Sequence, residues 1–162
     1  MVADFDGDGK AELMMKTADG TIDGQGKTIG DATKDWRSLD ENQPAQYGRV
    51  MNGPEYLTVF EGSTGKALQT VPYVPERGDV RSWGDHANRS ERYLAAMAYL
   101  DGRHPSAVFC RGYYTRTVLA AWDWNGKELK QRWVFDTNNA QWKTYAGQGN
   151  HNLRVADVDG DG

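Results

Sequence analysis

The chain has 162 residues, a length suited to one domain of ordinary size, with 38% hydrophobic residues and 19 glycines. Its 19 basic residues against 23 acidic ones leave a net charge of −4, which argues against a general nucleic-acid binder, since that affinity rests on a basic surface. The single Cys110 excludes an internal disulfide framework, no apolar stretch approaches the ~18 residues of a helical membrane span, and no signal peptide is visible.

The chain opens on an acidic loop, Asp4-Phe5-Asp6-Gly7-Asp8-Gly9-Lys10-Ala11-Glu12. Carboxylates at alternate positions on a turning backbone converge on one point. Ca²⁺ takes about six to eight oxygen ligands in flexible geometry. Asp4, Asp6 and Asp8, the carbonyl of Lys10 and the carboxylate of Glu12 form a candidate cage for Ca²⁺. The spacing is not that of an EF-hand, because the closing glutamate comes too early. The competing reading is an Asp-Gly turn carrying solvated charge.

Glu12 to Thr17 reads as a strand, followed by a turn at Ala18-Asp19-Gly20-Thr21. From Ile22 to about Pro54 the sequence is polar and without period. Either metal held by Asp19, Asp23 and Asp31 fixes this stretch or it is a solvated surface insertion. Tyr56–Phe60 and Lys66–Val71 then flank a glycine-containing turn and predict a hairpin. Arg92–Leu100 and Ser106–Tyr114 predict a second, around Asp101-Gly102-Arg103, although the alanines and leucines of the first run also suit a helix. Val118–Trp124 and Lys127–Phe135 predict a third around Asn125-Gly126, a strong hairpin turn because both residues accept positive φ. Cys110 lies in an apolar run and is expected to be a buried thiol.

The end of the chain repeats its beginning. Val155-Ala156-Asp157-Val158-Asp159-Gly160-Asp161-Gly162 differs from Val2–Gly9 at one position. Asp157, Asp159 and Asp161 are therefore candidate ligands of a second metal loop. The octet stops before its cage closes, so residues 1–162 read as a fragment of a single domain in a longer repeat protein, truncated at both ends. The pattern of acidic loop, strands and hairpins predicts an all-β fold at propeller-like spacing.

Three polar clusters stand out. Ser82–Arg89 gathers charge and amides around Trp83. In Arg111-Gly112-Tyr113-Tyr114-Thr115-Arg116, an extended backbone would put Arg111, Tyr113 and Thr115 on one face and Tyr114 and Arg116 on the other. Arginine pairs bidentately with a carboxylate, and tyrosine offers a ring to a sugar face plus a hydroxyl. A structural role at a sheet edge is the alternative. Ala146–Asn152 leads into the second acidic loop and brings Asn150 and His151 beside it, where the histidine can be a ligand, a substrate contact or a structural residue.

These segments together resemble the rhamnogalacturonan lyases of polysaccharide lyase family eleven. The resemblance runs from the first loop with Met15-Lys16-Thr17-Ala18-Asp19-Gly20-Thr21, through Gly53–Phe60, Tyr73-Val74-Pro75 with Arg77-Gly78, and Ser82–Asp85. It continues through Ala98–Gly102, Arg111–Arg116, Ala146–His151 and the closing loop. It implies a secreted, calcium-binding β-propeller, of which this chain forms about two to three blades of eight with long calcium-organised loops. The remaining blades and a pectic polysaccharide are then its partners, with no nucleic acid and no membrane. It implies cleavage of the rhamnose–galacturonate backbone of rhamnogalacturonan I by β-elimination. That reaction needs the galacturonate carboxylate neutralised by a metal or arginine, a base for the C5 proton, and departure of the oxygen at C4. Arg111 and Arg116 suit carboxylate pairing, because guanidinium stays protonated and is a poor base. The candidates near the chemistry are Arg111, Tyr113, Arg116 and His151, and the expected substrate contacts are Arg111, Tyr114, Arg116, Asn150 and His151. The isolated segment is expected to be inactive. The alternative is a non-catalytic, calcium-stabilised propeller module of integrin type for adhesion or glycan binding.

Overall fold

The computed structural model describes residues 1–84, 88–149 and 151–160. Its strands are β1 (Val2–Ala3), β2 (Glu12–Ala18), β3 (Thr21–Ile22), β4 (Thr28–Ile29), β5 (Glu55–Glu61), β6 (Ala67–Pro72), β7 (Tyr93–Ala98), β8 (Ser106–Arg111), β9 (Val118–Trp124) and β10 (Leu129–Asp136). They form one antiparallel sheet in the order β1-β2-β5-β6 and another in the order β10-β9-β8-β7, with β3-β4 as a small separate ladder. The three expected hairpins are present as β5-β6, β7-β8 and β9-β10. Strand alternation therefore overrides helix propensity in Tyr93–Ala98, where each residue finds a partner on β8.

The two sheets share one core. Leu57 and Val59 on β5 and Met14 on β2 point to one side, as their spacing requires, and all three are fully buried. Phe5 and Tyr73 join them from the first sheet's connections, and Ala107, Phe109, Ala120, Trp122 and Trp124 meet them from the second. On the other face of the first sheet Thr17, Thr58 and Thr70 are linked through their hydroxyls at 2.7 and 3.0 Å. Cys110 is buried as expected, and burial pushes its thiol up to about 11.

Asp19, Asp23 and Asp31 tie the polar stretch after Ile22 to the groups around it. Asp23 accepts from the amides of Gln25, Lys27 and Ala67. Asp19 accepts from the Asp31 amide, the Trp36 indole and the Tyr56 hydroxyl. Asp31 takes the Thr33 amide and hydroxyl. Charge-assisted bonds of this kind satisfy the carboxylates, and they hold the carboxyls of all three below their ordinary range.

A second kind of link crosses the sheets. Glu55, at the start of β5, pairs with Arg111 of β8 at 2.6 Å, Arg77 at 2.8 Å and Lys16 of β2 at 3.1 Å. Arg111 is completely buried and uses all of its donors, on Glu55, Glu91, Ser90 O and Pro75 O. The Trp83 and Tyr93 rings lie 5.2 Å from its guanidinium carbon. Burial pushes the Glu55 carboxyl up, but the Arg111 hydrogen bonds and the three cations outweigh it and leave the group below its ordinary range.

Two outcomes follow from that network. Replacing Arg111 by Ala takes one of three cations from a buried carboxylate and empties the space it filled, so unfolding in urea should show a loss of about 3–5 kcal/mol. Because the folded Glu55 carboxyl lies below its unfolded value, its contribution is present above ordinary glutamate pH and vanishes as pH falls through the lowered folded value. A pH series of unfolding midpoints should therefore fall less steeply on the acid side for Glu55→Gln than for the parent.

Candidate functional site

The first acidic loop folds as a ring of carboxylates tied to its own backbone. The Gly7 and Gly9 amides donate to the two oxygens of Asp4 at 2.8 and 3.0 Å. The Asp8 amide donates to Asp6 at 3.1 Å and the Lys10 amide to Asp8 at 2.8 Å. Gly7 and Gly9 take φ of 77° and 88°, a conformation open to glycine, which lets consecutive amides face inward. One oxygen from each of Asp4, Asp6 and Asp8 lies within 4.8 Å of the others.

This donor set is all hard oxygen, which suits Ca²⁺ or Mg²⁺ and not a soft metal. Glu12 departs from the expected cage. Its carboxylate is buried and accepts from the Phe5 amide at 2.9 Å, so it braces the loop's entry and stands outside the three-aspartate group. Desolvation pushes its carboxyl up, and the neighbouring Asp6, Asp4 and Asp8 charges add to that rise. The second acidic loop repeats the first turn: the Gly160 amide donates to Asp157 at 2.8 Å, with the same φ of 77° that Gly7 adopts. Asp159 is exposed beside it, while Asp161 lies outside the described residues.

A different cluster forms at the far end of β8. The strand expected over Ser106–Tyr114 is shorter, so the condition for sorting Arg111–Arg116 onto two faces is not met. β8 ends at Arg111 and the chain turns at Gly112, where φ is 85° and an added Cβ would meet Arg116 O and the Trp83 ring. Tyr114 then adopts φ of 62°, a left-handed conformation that costs an L-residue about 1–2 kcal/mol. Two backbone bonds hold it, from the Tyr114 amide to Gly149 O at 3.0 Å and from the Gly147 amide to Thr115 O at 2.8 Å.

This turn sorts the expected substrate contacts into two groups. Arg111 is committed to the interior network, so its assignment to a substrate carboxylate is corrected. Arg116 forks onto Asp136 at 3.0 and 2.6 Å and lies 4.4 Å over the Trp83 ring, so its charge is already matched by an acid of the protein. Tyr113 is buried, with its hydroxyl bonded by Asn88 at 3.1 Å, which removes it as a solvent-facing base. Tyr114 is 49% exposed, and its hydroxyl meets His151 Nε2 at 2.7 Å. The Tyr113 ring supports both, 4.4 Å from Tyr114 and 5.4 Å from His151. Asn150 and the Asp85–Ala87 part of the Trp83 cluster fall outside the described residues.

The first acidic loop and this aromatic cluster occupy opposite ends of the second sheet. Gly7 lies against His104 in the β7-β8 turn, whereas Tyr114 follows the other end of β8. At the rise of an extended strand, six residues separate those ends by about 20 Å. A ligand at Tyr114 is therefore out of reach of Asp4, Asp6 and Asp8. His151 precedes the second loop by a few residues, so that loop is the nearer one along the chain.

Residues 1–162 match the profile of the family described as rhamnogalacturonan lyase family 11, C-terminal domain. The chain is 60% identical over 163 aligned positions to the rhamnogalacturonan exolyase YesX of Bacillus subtilis (strain 168), covering 100% of this chain and 26% of that protein. It is 54% identical to the rhamnogalacturonan endolyase YesW of the same organism, again over 100% of this chain and 25% of that protein. The chain thus spans about a quarter of the length of these curated relatives. The crystal structure of YesX superposes with a TM-score of 0.91 at 59% identity, over 99% of this chain and 26% of that one. A Bacillus licheniformis rhamnogalacturonan lyase gives the same values. With its whole length matched, the chain belongs to rhamnogalacturonan lyase family 11.

Proposed function

We propose that this chain is part of a secreted, calcium-dependent lyase that cleaves the rhamnose–galacturonate backbone of rhamnogalacturonan I by β-elimination. The observation that carries the reading is the match of the entire chain, at 60% and 54% identity, to proteins named as rhamnogalacturonan lyases. The relatives are about four times longer, so the activity is assigned to a longer polypeptide that contains these residues. In the same reading the two four-stranded sheets are neighbouring blades of a propeller, and they already share the core that such neighbours require.

Within this chain the surface assigned to substrate is Tyr114 with His151. The support is physical: a large, exposed side chain is kept in a strained backbone conformation, and strain of that kind concentrates at ligand sites. The exposed tyrosine ring offers a flat apolar face to a pyranose, and its hydroxyl is oriented by the imidazole. His151, bonded to the Tyr114 hydroxyl through Nε2, is the side chain here placed to take part in the proton transfers of C5–H removal or C4–O departure. Arg111, Arg116 and Tyr113 act behind them as positioning residues. Asp4, Asp6 and Asp8 would hold Ca²⁺ in the first loop, and Asp157 with Asp159 would do so in the second. A cation bound beside a galacturonate carboxylate would neutralise its charge and make the C5 proton more acidic.

In the full-length protein, Ca²⁺ should support release of unsaturated oligosaccharides from rhamnogalacturonan, followed by ultraviolet absorbance, with none from polygalacturonate. Binding of the polysaccharide without unsaturated product would instead indicate a glycan-binding module. Tyr114→Gly should separate function from stability. It relieves the left-handed strain while losing the ring contacts, so the unfolding free energy should stay within about 1 kcal/mol of the parent. Turnover should nevertheless fall at least about tenfold, equivalent to about 1.4 kcal/mol of transition-state binding. Unchanged turnover in that variant would remove Tyr114 from the substrate surface.

A further inference from the structure

The first acidic loop belongs to one sheet, yet it is seated on the other. Asp6 accepts the Asp8 amide through Oδ1, and its Oδ2 lies toward Gly126 in the β9-β10 turn. A Cβ placed on Gly126 would stand 2.8 Å from that oxygen, closer than real side chains approach. Gly7 faces the His104 ring of the β7-β8 turn, with Cδ2 3.6 Å and Nε2 3.9 Å from where its Cβ would be.

Both turns are braced. His104 Nδ1 lies 3.1 Å from an Asp101 oxygen, and the His104 and Arg103 amides bond the other oxygen at 2.7 and 2.8 Å. The Asn125 side chain accepts from the Lys127 and Glu128 amides, and Arg132 holds Asp123 at 2.9 Å. A cavity of about 210 Å³ lies between loop and turns, lined in part by Phe5, Asp6, His104, Asp123 and Arg132.

From this packing we infer that Gly126 and His104 are positioning residues for the metal loop, and that cation binding there clasps the two sheets together. The inference rests on the reading of Asp4, Asp6 and Asp8 as a cation site, and it adds that the affinity of this site is set by residues of the second sheet that donate no ligand. The chemistry follows from which atom must yield. The far end of the Asp6 side chain can swing away from a methyl group at 126 at little cost while no cation is present. A bound cation fixes that carboxylate, and the collision then cannot be avoided. Substitution at 126 should therefore oppose cation binding more than folding. The same coupling runs in reverse, since a carboxylate fixed against Gly126 restrains the turn it touches.

Gly126 also has φ of 83°, so any side chain there strains its turn as well. Gly102, in the β7-β8 turn, provides the control: its φ is 72° and nothing lies within 4 Å of its missing Cβ. Gly102→Ala carries the backbone strain without the collision.

The test is hydrogen exchange by mass spectrometry on the full-length protein, titrated with Ca²⁺ from chelator and read locally in peptides covering residues 4–12, 99–104 and 125–128. In the parent, Ca²⁺ should slow exchange in the loop and in both turns at the same midpoint concentration. Disturbing partners that orient metal ligands typically costs 10–100-fold in affinity, so Gly126→Ala should raise the loop's midpoint by about tenfold or more. His104→Ala should raise it less, by removing the wall behind Gly7, and serves if Gly126→Ala does not fold. Gly102→Ala should leave it unchanged. Protection confined to residues 4–12, or an unshifted midpoint in both Gly126→Ala and His104→Ala, would overturn the clasp while leaving the cation site standing. A loop that does not respond to Ca²⁺ at all would overturn the site and the clasp together.

Discussion

One buried carboxylate organises the junction between the sheets. Glu55 collects Lys16, Arg77 and Arg111 around a single side chain, and these groups come from both sheets and the connection between them. Such a cluster is a poor source of net stability, because desolvating the ions offsets most of their attraction. Its consequence is geometric. Arg111 has a fixed set of donors, and each is matched by an acceptor that exists only if β5, β8 and the Pro75–Arg77 segment are in register. The apolar core would tolerate a small slide of one sheet over the other far better than this pairing does.

That fixed point also governs what the surface can present. Arg111 is the last residue of β8, and the chain leaves it through Gly112 into Tyr113 and Tyr114. Trp83 lies between the two arginines, stacked by both Arg111 and Arg116, and its indole donates to Arg77 O at 2.7 Å. The turn is thus anchored by an ion pair before it and an aromatic stack beneath it. Tyr113 completes the support from below. What reaches solvent is Tyr114, already oriented, with His151 brought to it by the Gly147–Gly149 strand-like contact. The interior ions do not touch the surface proposed for substrate, yet they decide where it lies.

Much of this was legible in the residues, and the failures have a common cause. Hairpins were readable because turn chemistry and alternation are local: Asn125-Gly126 and Asp101-Gly102 lie where the structure turns. The turning of the acidic loop is legible for the same reason, since Gly7 and Gly9 stand where positive φ is needed. The roles of Arg111, Arg116 and Tyr113 were not, because they depend on Glu55, Asp136 and Asn88, residues far away in sequence whose approach no local pattern announces. Glu55, in the run Gly53–Phe60, gives almost no local sign of its role, because a glutamate at a strand start looks like an ordinary solvated charge. Its one visible signal was position: β5 alternation puts Glu55 on the same face as Leu57 and Val59, toward the core. Asp19 and Asp23 likewise give no local sign of the indole, phenol and amide that they accept from, since Trp36, Tyr56 and Ala67 lie far along the chain.

Among the described residues every positive φ belongs to glycine except at Tyr114. The chain therefore has no general tolerance for side chains in that conformation. It uses glycine at Gly112, two positions before, and at Gly147 opposite, where contacts leave no room for a Cβ or the turn demands none. A glycine at 114 would satisfy the same backbone with less strain and would expose less apolar surface. Turn chemistry does not account for a tyrosine there and packing does so only in part, since its ring lies against Tyr113 but is half in solvent and its hydroxyl meets a histidine that is itself exposed. A side chain that the local rules disfavour, held in one direction by the network beneath it, is what the proposed substrate contact at Tyr114 would account for.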